Sequence, residues 1–123
     1  MRKNVLRYSL VVCYETIMAT LLSLPRFRAF DALKRLFLIL VGARIGHGVV
    51  FYPGVWIIPG RNLIIGDDVD LAKDVIITTS GGVTIGDRTL IGYRTQILSA
   101  NHEIPPIGEP IPISGTKYAP ICI

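Results

Sequence analysis

The chain has 123 residues, enough for one domain of ordinary size and too few for two comfortable ones. Half of the residues are hydrophobic and 18% are charged, a balance that excludes an intrinsically disordered segment. The net charge of +4 is unevenly placed: residues 1–44 carry eight basic groups against two acidic ones, and residues 45–123 carry five against seven. A basic front on a slightly acidic body suits docking to one surface, and without any basic–aromatic stripe it excludes a nucleic-acid partner. Cys13 and Cys122 stand far apart in no metal or CxxC spacing, which excludes a disulfide framework and a zinc site and suits a reducing cytoplasm.

The stretch from Asn4 to Leu24 is apolar on most of its circumference and reads as a helix ended by Leu24–Pro25. A second helix is expected from Asp31, as N-cap, to Gly42. The first segment is about as long as the roughly 20 residues that cross a bilayer. Arg7 and Glu15 lie inside it, however, and it lacks the small-residue cleavage site of a signal peptide. Three readings stand side by side: an interfacial helix pair with its basic residues toward lipid headgroups, a helix packed on protein, and a true span.

From Ile45 the chain falls into rows of twenty: IGHGVVFYPGVWIIPGRNLI, IGDDVDLAKDVIITTSGGVT and IGDRTLIGYRTQILSANHEI. Each row opens Ile-Gly, and large apolar residues recur every six positions, at Ile45, Phe51 and Ile57, then Ile65, Leu71 and Ile77, then Ile85, Ile91 and Ile97. A period of six is neither the 3.6 of a helix nor the 2 of a flat amphipathic strand. It predicts three short strands per row, each pointing its key residue inward, with Gly, Asn and Asp at the corners. The eight-residue step from Ile57 to Ile65 predicts a two-residue bulge at one corner. The last apolar column (Leu63, Val83) breaks at Glu103, beside a histidine.

These hexads, IGHGVV, FYPGVW, IGDDVD, LAKDVI, IGDRTL and IGYRTQ, resemble the pattern of the hexapeptide-repeat acyltransferases over about 60 residues. Within that superfamily VTIGDRTLIGYRTQILSANH resembles the maltose and galactoside O-acetyltransferases and related exopolysaccharide acetyltransferases. The resemblance implies a β class fold, a single-stranded left-handed parallel β-helix of about three coils (residues 45–123) behind a helical segment (residues 1–44). It implies a loop extruded over residues 103–119, which returns through PICI to a fourth coil at Ile123. That loop can wall one side of the pocket, and Pro105, Pro106, Pro110 and Pro112 limit the entropy lost in ordering it. It further implies a homotrimer with sites between subunits, acetyl-CoA as co-substrate and a saccharide acceptor. With the front segment, it places the protein in the cytoplasm, at the inner face of the membrane.

His102 is the expected general base, because acyl transfer from a thioester to a hydroxyl needs a group that takes the hydroxyl proton near neutral pH. It follows Val83 by nineteen residues, and the rows put it at an outward corner, where the other two have Asn62 and Gly82. Asn101 is expected to orient the imidazole or bind the acceptor. Asp67, Asp68 and Asp87 read as corner residues, His47 as solvent-facing, and Tyr93 and Trp56 as outward side chains at a pocket or subunit interface. Two histidines on different corners exclude the three-histidine metal site of the carbonic anhydrases that share this repeat. The family pattern departs at LAKDVI, where Ala72 stands in the region of a pocket Asn, and at Ile123, where the family continues into the coils that contact CoA. The resemblance therefore also allows a C-terminally truncated form, weakly active or inactive. The alternatives are a non-catalytic oligomerising scaffold of that family and a xenobiotic or amino-sugar acetyltransferase.

Overall fold

Twenty residues separate each strand between Arg44 and Leu98 from the strand stacked on it. The computed structural model describes residues 2–110 and 115–123, with side chains described from Asn4 onward. Two helices, α1 (Arg2–Leu22) and α2 (Arg28–Leu40), precede ten short strands in three parallel sheets. The first sheet holds β1 (Arg44–Ile45), β4 (Leu63–Ile65), β7 (Val83–Ile85) and β12 (Ile121–Cys122). The second holds β2 (Val50–Phe51), β5 (Asp70–Leu71) and β8 (Leu90–Ile91). The third holds β3 (Trp56–Ile58), β6 (Ile76–Thr78) and β9 (Gln96–Leu98). The chain visits all three before returning to the first, and pairs such as Ile45 with Ile65, Phe51 with Leu71 and Ile57 with Ile77 with Ile97 carry the repeat directly into the register.

This register stacks like on like. All nine apolar residues of the six-residue period are buried, and Val49, Val55, Leu63, Val69, Val75 and Val83 fill the space between them. Burying one such aliphatic side chain is worth about 1.5–3 kcal/mol, so the column is the main source of stability in strands too short to persist alone.

The turns repeat as well. Left-handed backbone recurs every twenty residues at Gly42, Asn62 and Gly82, at Gly48, Asp68 and Arg88, and at Gly54, Asp74 and Arg94. The neighbouring aspartates brace one such edge: Asp67 Oδ1 accepts the His47 N–H at 2.7 Å, and Asp87 Oδ1 accepts the Asp67 N–H at 2.8 Å. At the wide corner the buried hydroxyls take over. Thr79 accepts the Gly60 N–H and Ser99 the Gly81 N–H, each at 3.0 Å.

The helices attach at the first row. Tyr14, Met18 and Leu22 of α1 pack on the core, and the Tyr14 hydroxyl donates to the Ile57 carbonyl at 3.1 Å. Burial pushes the Tyr14 phenol up to about 12. Asp31 is not an N-cap: α2 starts three residues earlier, at Arg28, and the Asp31 N–H already donates to the Phe27 carbonyl. Its carboxylate is drawn instead to the Phe51 N–H at 3.3 Å and the Lys34 ammonium at 3.5 Å. Lys34 is fully buried, donating to the Leu24 carbonyl at 2.8 Å and the Phe51 carbonyl at 2.9 Å. Burial pushes its ammonium below the ordinary lysine value, and the Asp31 carboxylate opposes that shift. Arg35 caps the Ile45 and Gly46 carbonyls, so two of the front's basic residues are internal fasteners.

Removing one member of a buried, hydrogen-bonded charge pair strands the other. We predict that Lys34→Ala lowers unfolding free energy by about 3 kcal/mol in urea titrations. A loss below about 1 kcal/mol would mean that the ammonium is not the fastener of α2 to the first row.

Candidate functional site on the ribbon that leaves the stack

After β9 the body is interrupted. The chain leaves at Ser99 and rejoins at Ala119, whose N–H donates to the Ser99 carbonyl at 2.9 Å. Between these points β10 (Ala100–His102) and β11 (Thr116–Tyr118) form an antiparallel ribbon, registered Ala100 to Tyr118, Asn101 to Lys117 and His102 to Thr116. Ile121 then pairs with Val83 and fills the column position that counting by twenty gave to Glu103. The apolar column is therefore resumed after the excursion rather than lost, and the Ile123 N–H and carbonyl bond Thr84 and Gly86 at the level of Ile85.

His102 consequently does not occupy a row corner. Asn62 and Gly82 have left-handed backbone, and it is Pro120 that stands against Gly82 in the next row. His102 lies in extended strand on the ribbon, exposed to solvent. Among the described residues its imidazole makes no hydrogen bond or ion pair. The ring is presented outward, away from the aliphatic column, with Thr116 opposite it on the same ribbon face.

Asn101 is arranged differently from the expectation. Successive strand residues point to opposite faces, so its side chain leaves the ribbon away from the imidazole, on the Lys117 side. Its Oδ1 accepts the His102 backbone N–H at 2.9 Å. Asn101 therefore fixes the strand that carries the histidine rather than the ring itself. At the next position the Glu103 N–H donates to the Gly115 carbonyl at 2.8 Å, and the Glu103 carboxylate lies over Gly115, 2.9 Å from where a Cβ would stand. Pro105, Pro106 and Pro110 follow in the loop, whereas Pro112 and its neighbours at 111–114 lie outside the described residues.

The remaining candidates separate from this ribbon. His47 is exposed at the foot of the stack, where it lines a hollow of about 570 Å³ with Arg28, Asp31 and Arg35. Tyr93 is exposed and meets Tyr52 edge-on at 6.4 Å, and Arg26 lies 4.3 Å over the Tyr52 ring while donating to its hydroxyl. Trp56 packs half-buried against the core, and Ala72 is buried rather than pocket-lining. Asp67 and Asp87 serve the edge ladder, and Asp68 a left-handed turn.

Residue counting could not find the returning strand of Thr116, Lys117 and Tyr118, of which Thr116 stands opposite the histidine. Their one signal was the alternation in TKY directly after Gly115. No protein-family model, no curated protein and no solved structure matches the chain.

The ribbon is held at its foot by Gly81. A Cβ added there would stand 2.1 Å from the Ser99 carbonyl oxygen and 2.9 Å from the Ala119 amide nitrogen, both backbone atoms. Gly81→Ala should cost about 1–3 kcal/mol, as overpacking does. It should also release the Ala119 amide, seen as faster hydrogen exchange there than in β5. Unchanged exchange at Ala119 would show that the excursion is not pinned at this point.

Proposed function

We propose that the protein is an acyltransferase of the hexapeptide-repeat type, its body a left-handed parallel β-helix, and that it transfers an acetyl group to a saccharide hydroxyl. The observation that carries this reading is a lone imidazole displayed outward on a ribbon that interrupts rows otherwise stacked every twenty residues. When bound, acetyl-CoA supplies the activated acetyl group as a thioester. His102 takes the proton of the acceptor hydroxyl as its oxygen attacks, and returns that proton to the departing thiol. Asn101, through the His102 N–H, holds the strand in place, and Thr116 shares the imidazole's face of the ribbon. The acting form is a homotrimer in which the open side of the ribbon is completed by a neighbouring copy.

We place this action in the cytoplasm at a membrane surface, and the N-terminal segment supports the membrane contact. Asn4–Leu22 is long and apolar enough to cross a bilayer and only 11% of it is buried against the body. Val5, Leu6, Tyr8, Leu10, Val11, Val12 and Ile17 remain exposed, an apolar area beyond what a solvated helix ordinarily presents. A saccharide carried on a lipid would meet the ribbon from that side.

A general base contributes about 10²–10⁴ in rate. His102→Ala should therefore lower kcat for acetyl transfer from acetyl-CoA to a saccharide panel by about that factor, read as free thiol. Asn101→Ala should lower it by less than His102→Ala does. Thiol release that is equal in wild type and His102→Ala would refute the assignment. Absence of any transfer, with a stable oligomer, would favour the scaffold reading.

A further inference from the structure

The N-terminal half of α1 does not lie flush on the body. Between them runs an open groove of about 660 Å³, within the size range of small-molecule sites. Leu10 and Val11 of α1 form one apolar wall, and Val41, Ile58 and Pro59 form the other. Tyr14 also lines it, its hydroxyl spent on the Ile57 carbonyl. The rim is charged: Arg7 and Arg61 stand on it with Glu15, an excess of one positive charge. Among the described residues neither guanidinium is in an ion pair.

One lining residue brings the groove near the ribbon. Ser80 lines it, and the next residue, Gly81, touches the Ser99–Ala119 foot of the ribbon. His102 lies three residues along β10 from Ser99, roughly 10 Å of strand. A molecule with its tail between α1 and the body, and its head leaving past Ser80, would bring that head to the base of the ribbon.

We propose that this groove binds the hydrocarbon chain of a lipid phosphate that carries the acceptor saccharide, with the phosphate held by Arg61 and Arg7. The assignment rests on the acetyl-transfer reading for the identity of the head and deepens it by naming the acceptor's carrier. Chemistry selects the occupant: apolar walls disfavour a free sugar, and two guanidiniums against the one carboxylate of Glu15, neither in an ion pair among the described residues, favour an anion over a neutral glycoside. The volume suits one chain. A second copy of the protein would instead need a broad, roughly 800 Å² face per partner.

Octyl phosphate is a water-soluble probe of that chemistry, and its binding to the full chain is measured by titration calorimetry without acetyl-CoA. The expected result is one site per chain, with octyl glucoside at least about tenfold weaker and inorganic phosphate without measurable heat, since a charge-assisted contact is worth a tenfold change or more. Arg61→Ala should weaken octyl phosphate about tenfold, and Leu10→Asp, a substitution at an exposed position, should abolish it. His102→Ala should bind as wild type does. Binding with no acetyl transfer would leave the groove standing and refute the transfer reading alone. Equal affinity for the phosphate and the glucoside, full binding by Leu10→Asp, or no binding by wild type would overturn the proposal. So would sedimentation showing the groove closed by a second copy that octyl phosphate cannot displace.

Discussion

Parallel pairing at a shift of twenty residues is the constraint from which the rest of this structure follows. No strand of the body is longer than three residues, so none is stable through its own hydrogen bonds. From β1 to β9, each gains its place because the strand twenty residues away presents a similar side chain at the same position in the register. Phe51 sits on Leu71 on Ile91, and Ile57 on Ile77 on Ile97. A shift of one residue would turn every inward side chain outward, so the register is fixed by the whole column at once. The edge ladder from Asp87 to Asp67 to His47 and the left-handed turns repeat at the same interval, and polar and apolar parts specify one arrangement.

A stack of this kind has an open first row, and here two helices meet it by different means. α2 is fastened by a buried polar knot in which Lys34 joins the linker carbonyl of Leu24 to the Phe51 strand, with Asp31 balancing its charge. α1 is fastened by packing over its C-terminal half only. Its other half stands away from the body, and that separation creates the groove lined at Ser80, one residue before the Gly81 that meets the ribbon's foot. The exposed apolar helix and the outward histidine are thus connected through the same corner of the rows.

Much of the body was legible because its information is periodic. The nine inward residues, the three strands per row and the wide corner after Ile57 all follow from the spacing of Ile, Leu and Phe. What escaped has no periodic signature. Counting by twenty carried Glu103 into the apolar column and His102 onto a corner. It cannot register that the chain departs at Ser99 and that Ile121, after the loop, resumes the column. Asp31 looks like an N-cap from its neighbours alone, and only the approach of Phe51 and Lys34 gives its carboxylate other work. Lys34 reads as one more surface charge until three backbone carbonyls converge on it. Arg88 and Arg94 adopt left-handed backbone because the rows below impose the turn, against the preference of their own side chains.

For the site, the histidine and its loop were legible, and the pairing that presents the ring was not. Thr116 comes to stand opposite it through a ribbon closed far along the sequence, which is a tertiary fact. The account as a whole depends on rows that are interchangeable units of twenty, each adding one layer to the same column. The most direct test is a urea unfolding curve for a chain in which residues 65–84 are duplicated in tandem, beside one in which only residues 65–74 are. Interchangeable rows predict that the full duplication unfolds in one cooperative transition with a steeper denaturant dependence and undiminished midpoint, while the half-row duplication collapses the transition. Equal damage from both insertions would contradict the stacked-row account.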